Sequence, residues 1–494
     1  MRFDVLRRFA EDRRGNVAMY FGLAAIPLIF AMGMAVDYGN NARKWSQLNA
    51  AADAAALAAV TPAMMAASDA TAQTAATDIF TGQANAISNI VPGSLSVNPQ
   101  IQDNGLIRKV DVYYTAQIYN IFGGILGQQT MPVSGHAQAN GATPPNVDFY
   151  LLLDTSPSMA IPADQNGINT MVQNTRSQQD GSTTGCAFAC HEYNPAADNL
   201  GNPNGEDNYA LARNLGLTLR IDMVGQATAA MVGSAISTMN QNTTNYGWTP
   251  SYRIAIDSFD AYNPSTRTSI RQLFPLTSNL NSLQSSLNAS PSPIQVMEVY
   301  SNNNICTATQ TTTSHGVTTT TCTAWQGNSD TDTDIDDALN SLNNSSSPYY
   351  IPNPGTGASG SQPAEVLMIV TDGVEDETVA SVTAGTPSGN RQQAPIAFNS
   401  NVPSTATCAA IKARGIKIAI LYTTYYPLDN GSTGSWYDRF IYQFQRNGTD
   451  QIGPALMNNC ASPGLFYQVS VGQNISAALV TLFQMALQSS HLTQ

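Results

Sequence analysis

The chain has 494 residues, 43% of them apolar and only 11% charged, with a formal net charge of −13. Its length suits two to four domains and its apolar share suffices for a sizeable core, while surface polarity must come mainly from Asn, Gln, Ser and Thr. Residues 1–44 hold seven Lys+Arg against four Asp+Glu, so the remainder carries −16 and repels phosphate backbones; no nucleic-acid partner is expected.

In chain order, residues 1–15 read as a short basic tail and residues 16–36 as a membrane span. Positions 17–36 carry no charge, and twenty apolar residues match the thickness of a bilayer. Arg2, Arg7, Arg8, Arg13 and Arg14 precede the span, and only Arg43 and Lys44 follow it closely. The positive-inside rule then puts the N-terminus in the cytoplasm and the bulk of the chain outside. A cleaved signal peptide is the alternative, although its apolar region is shorter, about 7–15 residues. Beyond Asn41 the apolar pattern continues through Trp45, Leu48, Ala51, Ala52, Ala55, Ala56 and Ala59. This predicts one long helix to about residue 85, with Pro62 as a candidate break. Its small-residue face could pack on a partner helix, giving oligomerisation, or on its own domain. Segments near 94–97, 107–118 and 131–139 read as strands, completing a small α+β module over 37–143. A stiff Pro-Pro linker follows.

Residues 146–494 alternate strand and helix patterns, which predicts an α/β, doubly wound, mostly parallel sheet. Strands are expected at 147–153, 252–259, 366–370, 416–422 and 465–469. Helices are expected at 219–239, 401–414 and 475–487. Two insertions, near 159–217 and 290–330, interrupt the pattern. Two of the strands run into polar clusters: Asp154-Thr155-Ser156-Pro157-Ser158 and Thr371-Asp372-Gly373. In open parallel sheets the carboxyl edge is where ligands bind. Hydroxyls and carboxylates gathered there form an all-oxygen set suited to Mg²⁺, with Mn²⁺ or Ca²⁺ as alternatives.

Six cysteines fall as three local pairs, Cys186/Cys190, Cys306/Cys322 and Cys408/Cys460. On an exported chain an even count reads as disulfides, here expected in that local order, with buried free thiols as the alternative. Cys186 and Cys190 are separated by three residues, which does not fit the Cys-x-x-Cys-His attachment of haem. The run Asp330–Asp337 alternates aspartates, but an EF-hand loop needs Gly at its sixth position, where Ile335 stands. It reads instead as an acidic rim and a helix cap, with a second Ca²⁺ left open.

Two resemblances rest on these motifs. Residues 13–59 carry Arg-Arg-Gly, the apolar span, Val-Asp-Tyr at 36–38 and the alanine-rich run at 49–59. They resemble the N-terminal segment of TadE/TadG-type Flp pilus-assembly proteins, which implies the tight-adherence pilus system of a bacterial envelope. Pilin-type cleavage would follow a glycine and need a nearby glutamate; Gly15 is present but Asn16–Tyr20 has none, so an uncut anchor is expected. Residues 146–494 resemble a von Willebrand factor A domain. Asp154-x-Ser156-x-Ser158, Thr333 with the helix start that follows, and Thr371-Asp372-Gly373 appear in the family's order. The resemblance implies a metal held by Asp154, Ser156, Ser158, Thr333 and Asp372, with one position open for a partner's carboxylate.

The expected protein is therefore an inner-membrane-anchored pilus-assembly component whose periplasmic domain binds a protein partner, itself a pilus component, through a divalent cation. A surface adhesin of the same architecture and a metal-dependent hydrolase are the alternatives. No enzyme is expected: the four histidines sit in no metal-ligand or triad motif, and the chain has no G-x-S-x-G, P-loop or H-E-x-x-H.

Overall fold

The computed structural model describes residues 15–491 except 105, 177, 179–184, 190, 192–201, 247, 264–267, 299–305, 315–316, 326–332, 359, 379–390, 398–399, 401, 426–427, 429–440, 442–443, 445–449 and 471–472. Contacts divide the chain into two units. One is Met1–Thr143 with Asn245–Trp248; the other is Pro144–Thr244 with Thr249–Gln494.

The first unit begins with helix α1, Gly15–Ala59, whose apolar half is long enough to cross a membrane and is almost wholly uncovered by protein. The long helix expected from sequence is broken at the candidate position Pro62, into two longer helices with a one-turn helix between them. Pro62 has no N–H to continue the ladder and opens a one-turn helix, Pro62–Met65. Helix α2, Asp69–Ala84, then starts afresh behind Ser68, whose hydroxyl accepts the Thr71 N–H. Its buried face, Ala72, Ala76, Phe80 and Ala84, repeats every four residues and meets Leu48, Ala51, Ala52, Ala55, Ala56 and Ala59 of α1. The alanine face is thus filled from within its own unit. Both helices cover an antiparallel sheet of β1, Ser96–Asn104, β2, Ile107–Tyr119, and β3, Thr130–Ala142. Arg108 ties the α1–α2 connection to this sheet: it donates to Asp103, Asp69 and the carbonyls of Met64 and Ala67.

The second unit is built on a six-stranded mixed sheet. Its strands are β4, Val147–Asp154; β5, Tyr252–Asn263; β6, Thr268–Thr277; β9, Ala364–Thr371; β12, Lys417–Thr423; and β13, Phe466–Val469. The order is β13-β12-β9-β4-β5-β6, with only β6 antiparallel. β4 and β9 read as continuous apolar runs because both faces are covered. Phe149, Leu151 and Leu153 face a cluster with helices Arg220–Tyr246 and Ile475–His491. Tyr150 and Leu152 face the other way, toward helices Ile335–Asn343 and Pro403–Ala413.

Cys408 and Cys460 form a disulfide. Cys190 lies outside the described residues, as do the side chains of Cys306 and Cys322. The threonine tract around the latter pair, inside the insertion expected near 290–330, forms a hairpin of β7, Cys306–Ser314, and β8, Val317–Trp325. A shorter hairpin joins β10, Val374–Thr378, to β11, Arg391–Pro395.

Candidate metal centre

β4 is the central strand, buried at every position, and it delivers Asp154 to the carboxyl edge of the sheet. There the chain turns because one Asp154 oxygen, Oδ1, accepts both the Ser156 N–H at 3.0 Å and the Ser156 hydroxyl at 2.6 Å. Asp side chains stabilise turns in this way. Pro157, with its φ preset, then opens a 3₁₀ turn through Ala160. That turn brings the Ser158 hydroxyl 3.0 Å from the Ser156 hydroxyl. The turn is stapled to β5 by Thr155, whose N–H and hydroxyl both donate to the Phe259 carbonyl.

The neighbouring strand β9 supplies the second half. Thr371 Oγ1 donates to Asp154 Oδ2 at 2.7 Å and accepts the Gly373 N–H at 2.9 Å. Gly373 takes φ +86°, and a Cβ there would lie 2.5 Å from an Ile452 methyl group. Only glycine fits that turn without displacement. Between these two residues sits Asp372, fully buried, with neither carboxylate oxygen accepting a well-formed hydrogen bond. Ser158 and the Val374 N–H approach it closely enough to favour the charged form. Its nearest opposite charge is Arg220, whose Nη1 lies 3.6 Å from Oδ2. Arg220 opens the helix Arg220–Tyr246, is itself buried, donates through Nη2 to the Thr424 carbonyl, and packs over the Tyr425 ring.

Burial pushes both acids above the usual carboxylate range. For Asp154 the hydroxyl and N–H donors and Arg220 work against that rise. For Asp372 the charge on Asp154 adds to it, and Arg220 opposes it. Two buried acids thus share one guanidinium, and both Asp372 oxygens lack a hydrogen bond beside two serine hydroxyls. A divalent ion would answer both deficits. The donor set is oxygen only, which fits a hard cation such as Mg²⁺ at about 2.1 Å.

The structure brings Asp154, Ser156, Ser158 and Asp372 together at one edge, the first three hydrogen-bonded to one another and Asp372 linked to them by charge. Thr333 reaches the same edge through its backbone: its N–H and carbonyl pair with Asp376 of β10, and the next N–H, of Asp334, donates to the Asp260 carbonyl of β5. Asp334 also caps the following helix by accepting the Asp337 N–H. The rest of the acidic run, Asp330 to Asp332, lies outside the described residues. Among the described residues no group of three or more His, Cys, Asp or Glu side chains is placed to hold a metal. A metal here would rely instead on hydroxyls between two acids. Sequence reasoning missed two members. Thr371 stood inside the recognised tripeptide but was not assigned a role. Arg220 has no local signal beyond being a charge in a charge-poor segment.

One comparison with known proteins bears on the N-terminal reading. No curated protein matches the chain. Two crystal structures of the pilus adhesin SpaC from Lactobacillus rhamnosus GG align with it. The open conformation does so at 11% identity and TM-score 0.32, and a second form at 12% identity and TM-score 0.30. Each alignment covers 80% of this chain and 34% of that one, so the chain spans about a third of the adhesin. Residues 15–78, which contain α1 and most of α2, match the family model described as "Putative Flp pilus-assembly TadE/G-like".

Proposed function

We propose that this chain is a membrane-anchored component of Flp (Tad) pilus assembly, and that its second unit is a von Willebrand factor A-like domain that captures a protein partner through a divalent cation. Three features support this reading. Residues 15–78 match the pilus-assembly family model. The same segment contains a helix apolar enough to span a bilayer. The carboxyl edge of a largely parallel sheet carries a buried, under-neutralised pair of acids flanked by hydroxyls.

The last observation carries the mechanism. Ser156, Ser158 and Thr333 would offer hydroxyl oxygens, and Asp154 and Asp372 would supply charge directly or through water. Bound there, the ion would supply an electrophilic seat for a carboxylate from outside. The chain's own residues do the rest. Thr371 and Ser156 orient the Asp154 carboxylate, Gly373 lets β9 end sharply enough to present Asp372, and Arg220 holds the excess charge in check. This is binding chemistry, and no bond-breaking step is assigned to it. The arginine-rich start of the chain supports an orientation with the N-terminus in the cytoplasm and the second unit in the periplasm.

The test is capture of partners from solubilised envelopes by the purified full chain, with and without chelator. Capture should require the divalent ion and should be lost in Asp154→Ala and Asp372→Ala. Equal capture in chelator by wild type and both variants would overturn the mechanism.

A further inference from the structure

One surface of the first unit is not explained by pilus-family membership or by the metal centre. The turn that follows β2, residues 121–126, exposes Ile121 (56%), Phe122 (40%) and Ile125 (73%). No Asp, Glu, Lys or Arg occurs anywhere between residues 112 and 147. Such a cluster is unusual on a chain whose surface is otherwise Asn-, Ser- and Thr-rich, and exposed apolar patches mark contact surfaces.

Its position names the partner. Gly33 is buried within the apolar stretch of α1, and a Cβ on it would meet Phe122 at 2.9 Å. The Phe122 side chain therefore lies directly against the helix three residues before Val36, the last apolar position. At 1.5 Å per residue that is roughly 4.5 Å inside the stretch. One helical turn further on, Asp37 fixes the loop: its carboxylate accepts the N–H groups of Ile121 at 2.7 Å, Phe122 at 2.9 Å and Gly123 at 2.6 Å. One turn beyond that, Asn41 donates to Asn120, which donates in turn to the Gln128 carbonyl. Gln128 N–H closes the loop onto Gly123. Gly33, Asp37 and Asn41 thus form one stripe of α1 against which the loop is clamped. Three of its backbone N–H groups turn inward, Phe122 lies partly against α1, and Ile121 and Ile125 stay exposed. That is the arrangement a segment needs when water is scarce.

We infer that the 121–126 loop inserts into the lipid headgroup and acyl boundary beside α1, so that the first unit holds the outer leaflet at two points. This rests on the reading of residues 17–36 as a membrane span. Interfacial contacts typically reach about 5–10 Å, and the roughly 4.5 Å of axial rise between Gly33 and Val36 puts the Phe122 contact at the shallow edge of that range. A second contact would fix the tilt and rotation of α1, which a single helix leaves free.

The test uses the full chain reconstituted in phosphatidylethanolamine–phosphatidylglycerol vesicles. The photo-crosslinker p-benzoylphenylalanine replaces Ile125, Leu23 in the span, or Leu57, which is exposed on α1 well beyond it. Adducts are identified by mass spectrometry. Phospholipid adducts at positions 125 and 23 in similar yield, with none at 57, are expected. Adducts at 23 together with none, or only protein adducts, at 125 would overturn the inserted loop while leaving the span intact. Absence of lipid adducts at 23 would overturn the span and, with it, the loop proposal. Asp37→Ala, which leaves three N–H groups without their acceptor, should lower the yield at 125 and not at 23.

Discussion

The two ends of the six-stranded sheet hold buried carboxylates in different company. At the amino end, Asp148 of β4 lies opposite Arg253 of β5 and Glu365 of β9. Arg253 grips Asp148 through both of its forks, Nε to Oδ1 at 2.7 Å and Nη2 to Oδ2. Such bidentate pairing closes a carboxylate to other cations. Burial raises the second acid there, Glu365, to about 8, helped by Asp148, while nearer the carboxyl end Asp257 and Asp372 are each pushed up to about 7. At the carboxyl end Asp154 receives hydroxyls, which orient it without neutralising it, and Asp372 receives a guanidinium at 3.6 Å with no hydrogen bond. At the amino end the chain's own cation grips Asp148 through two hydrogen bonds. At the carboxyl end Arg220 approaches Asp372 without a hydrogen bond, the arrangement on which the proposed metal site rests.

The largest expected effect tests that contrast at the two arginines. Without divalent ion, Arg220→Gln should cost about 3–5 kcal/mol in denaturant unfolding, because it leaves two buried acids uncompensated. Mg²⁺ should restore much of that stability and bind more tightly than to wild type. Arg253→Gln, whose side chain is over a third exposed, should cost less and should gain nothing from Mg²⁺.

Next comes pH. Acids whose folded pKa lies above the unfolded value make the native state bind more protons than the unfolded chain. Stability of the ion-free protein should therefore fall as pH rises from about 4 toward 8, by on the order of a few kcal/mol. Glu365→Gln with Asp257→Asn should flatten part of that slope. Mg²⁺ should flatten the part due to Asp154 and Asp372 and leave the other untouched, as read by thermal unfolding across pH.

Smaller changes sharpen the carboxyl end alone. Thr371→Val removes a donor to Asp154 and an acceptor for Gly373, so a loss of about 1–2 kcal/mol is expected. Its Mg²⁺ affinity should fall by roughly 10–100-fold, as for other groups that orient a ligand. Ser158→Ala should change stability least, within about 0.5–1 kcal/mol, while weakening Mg²⁺ binding measured by calorimetry.

Much of this was legible in the sequence, for identifiable reasons. β4, β9 and β12 announced themselves because strands covered on both faces read as unbroken apolar runs. Asp154 followed because it stands directly after such a run, and Asp372 because only Thr371 separates it from one. The break of the N-terminal helix was visible at Pro62, but its consequence was not: whether α2 continues or packs on α1 depends on contacts between Leu48–Ala59 and Ala72–Ala84 that no local pattern encodes. Arg220 was hidden for the same reason, since its partner Asp372 lies 152 residues later in the chain. The threonine hairpin was missed because a tract of nearly identical polar residues carries no alternation to mark a strand.

The most direct measurement is isothermal titration of Mg²⁺ into the detergent-solubilised full chain. One site per chain is expected in wild type and in Asp148→Asn, and none in Asp154→Ala or Asp372→Ala with folding confirmed by circular dichroism. A folded wild type that takes up no divalent ion, or variants that bind it as wild type does, would contradict the account.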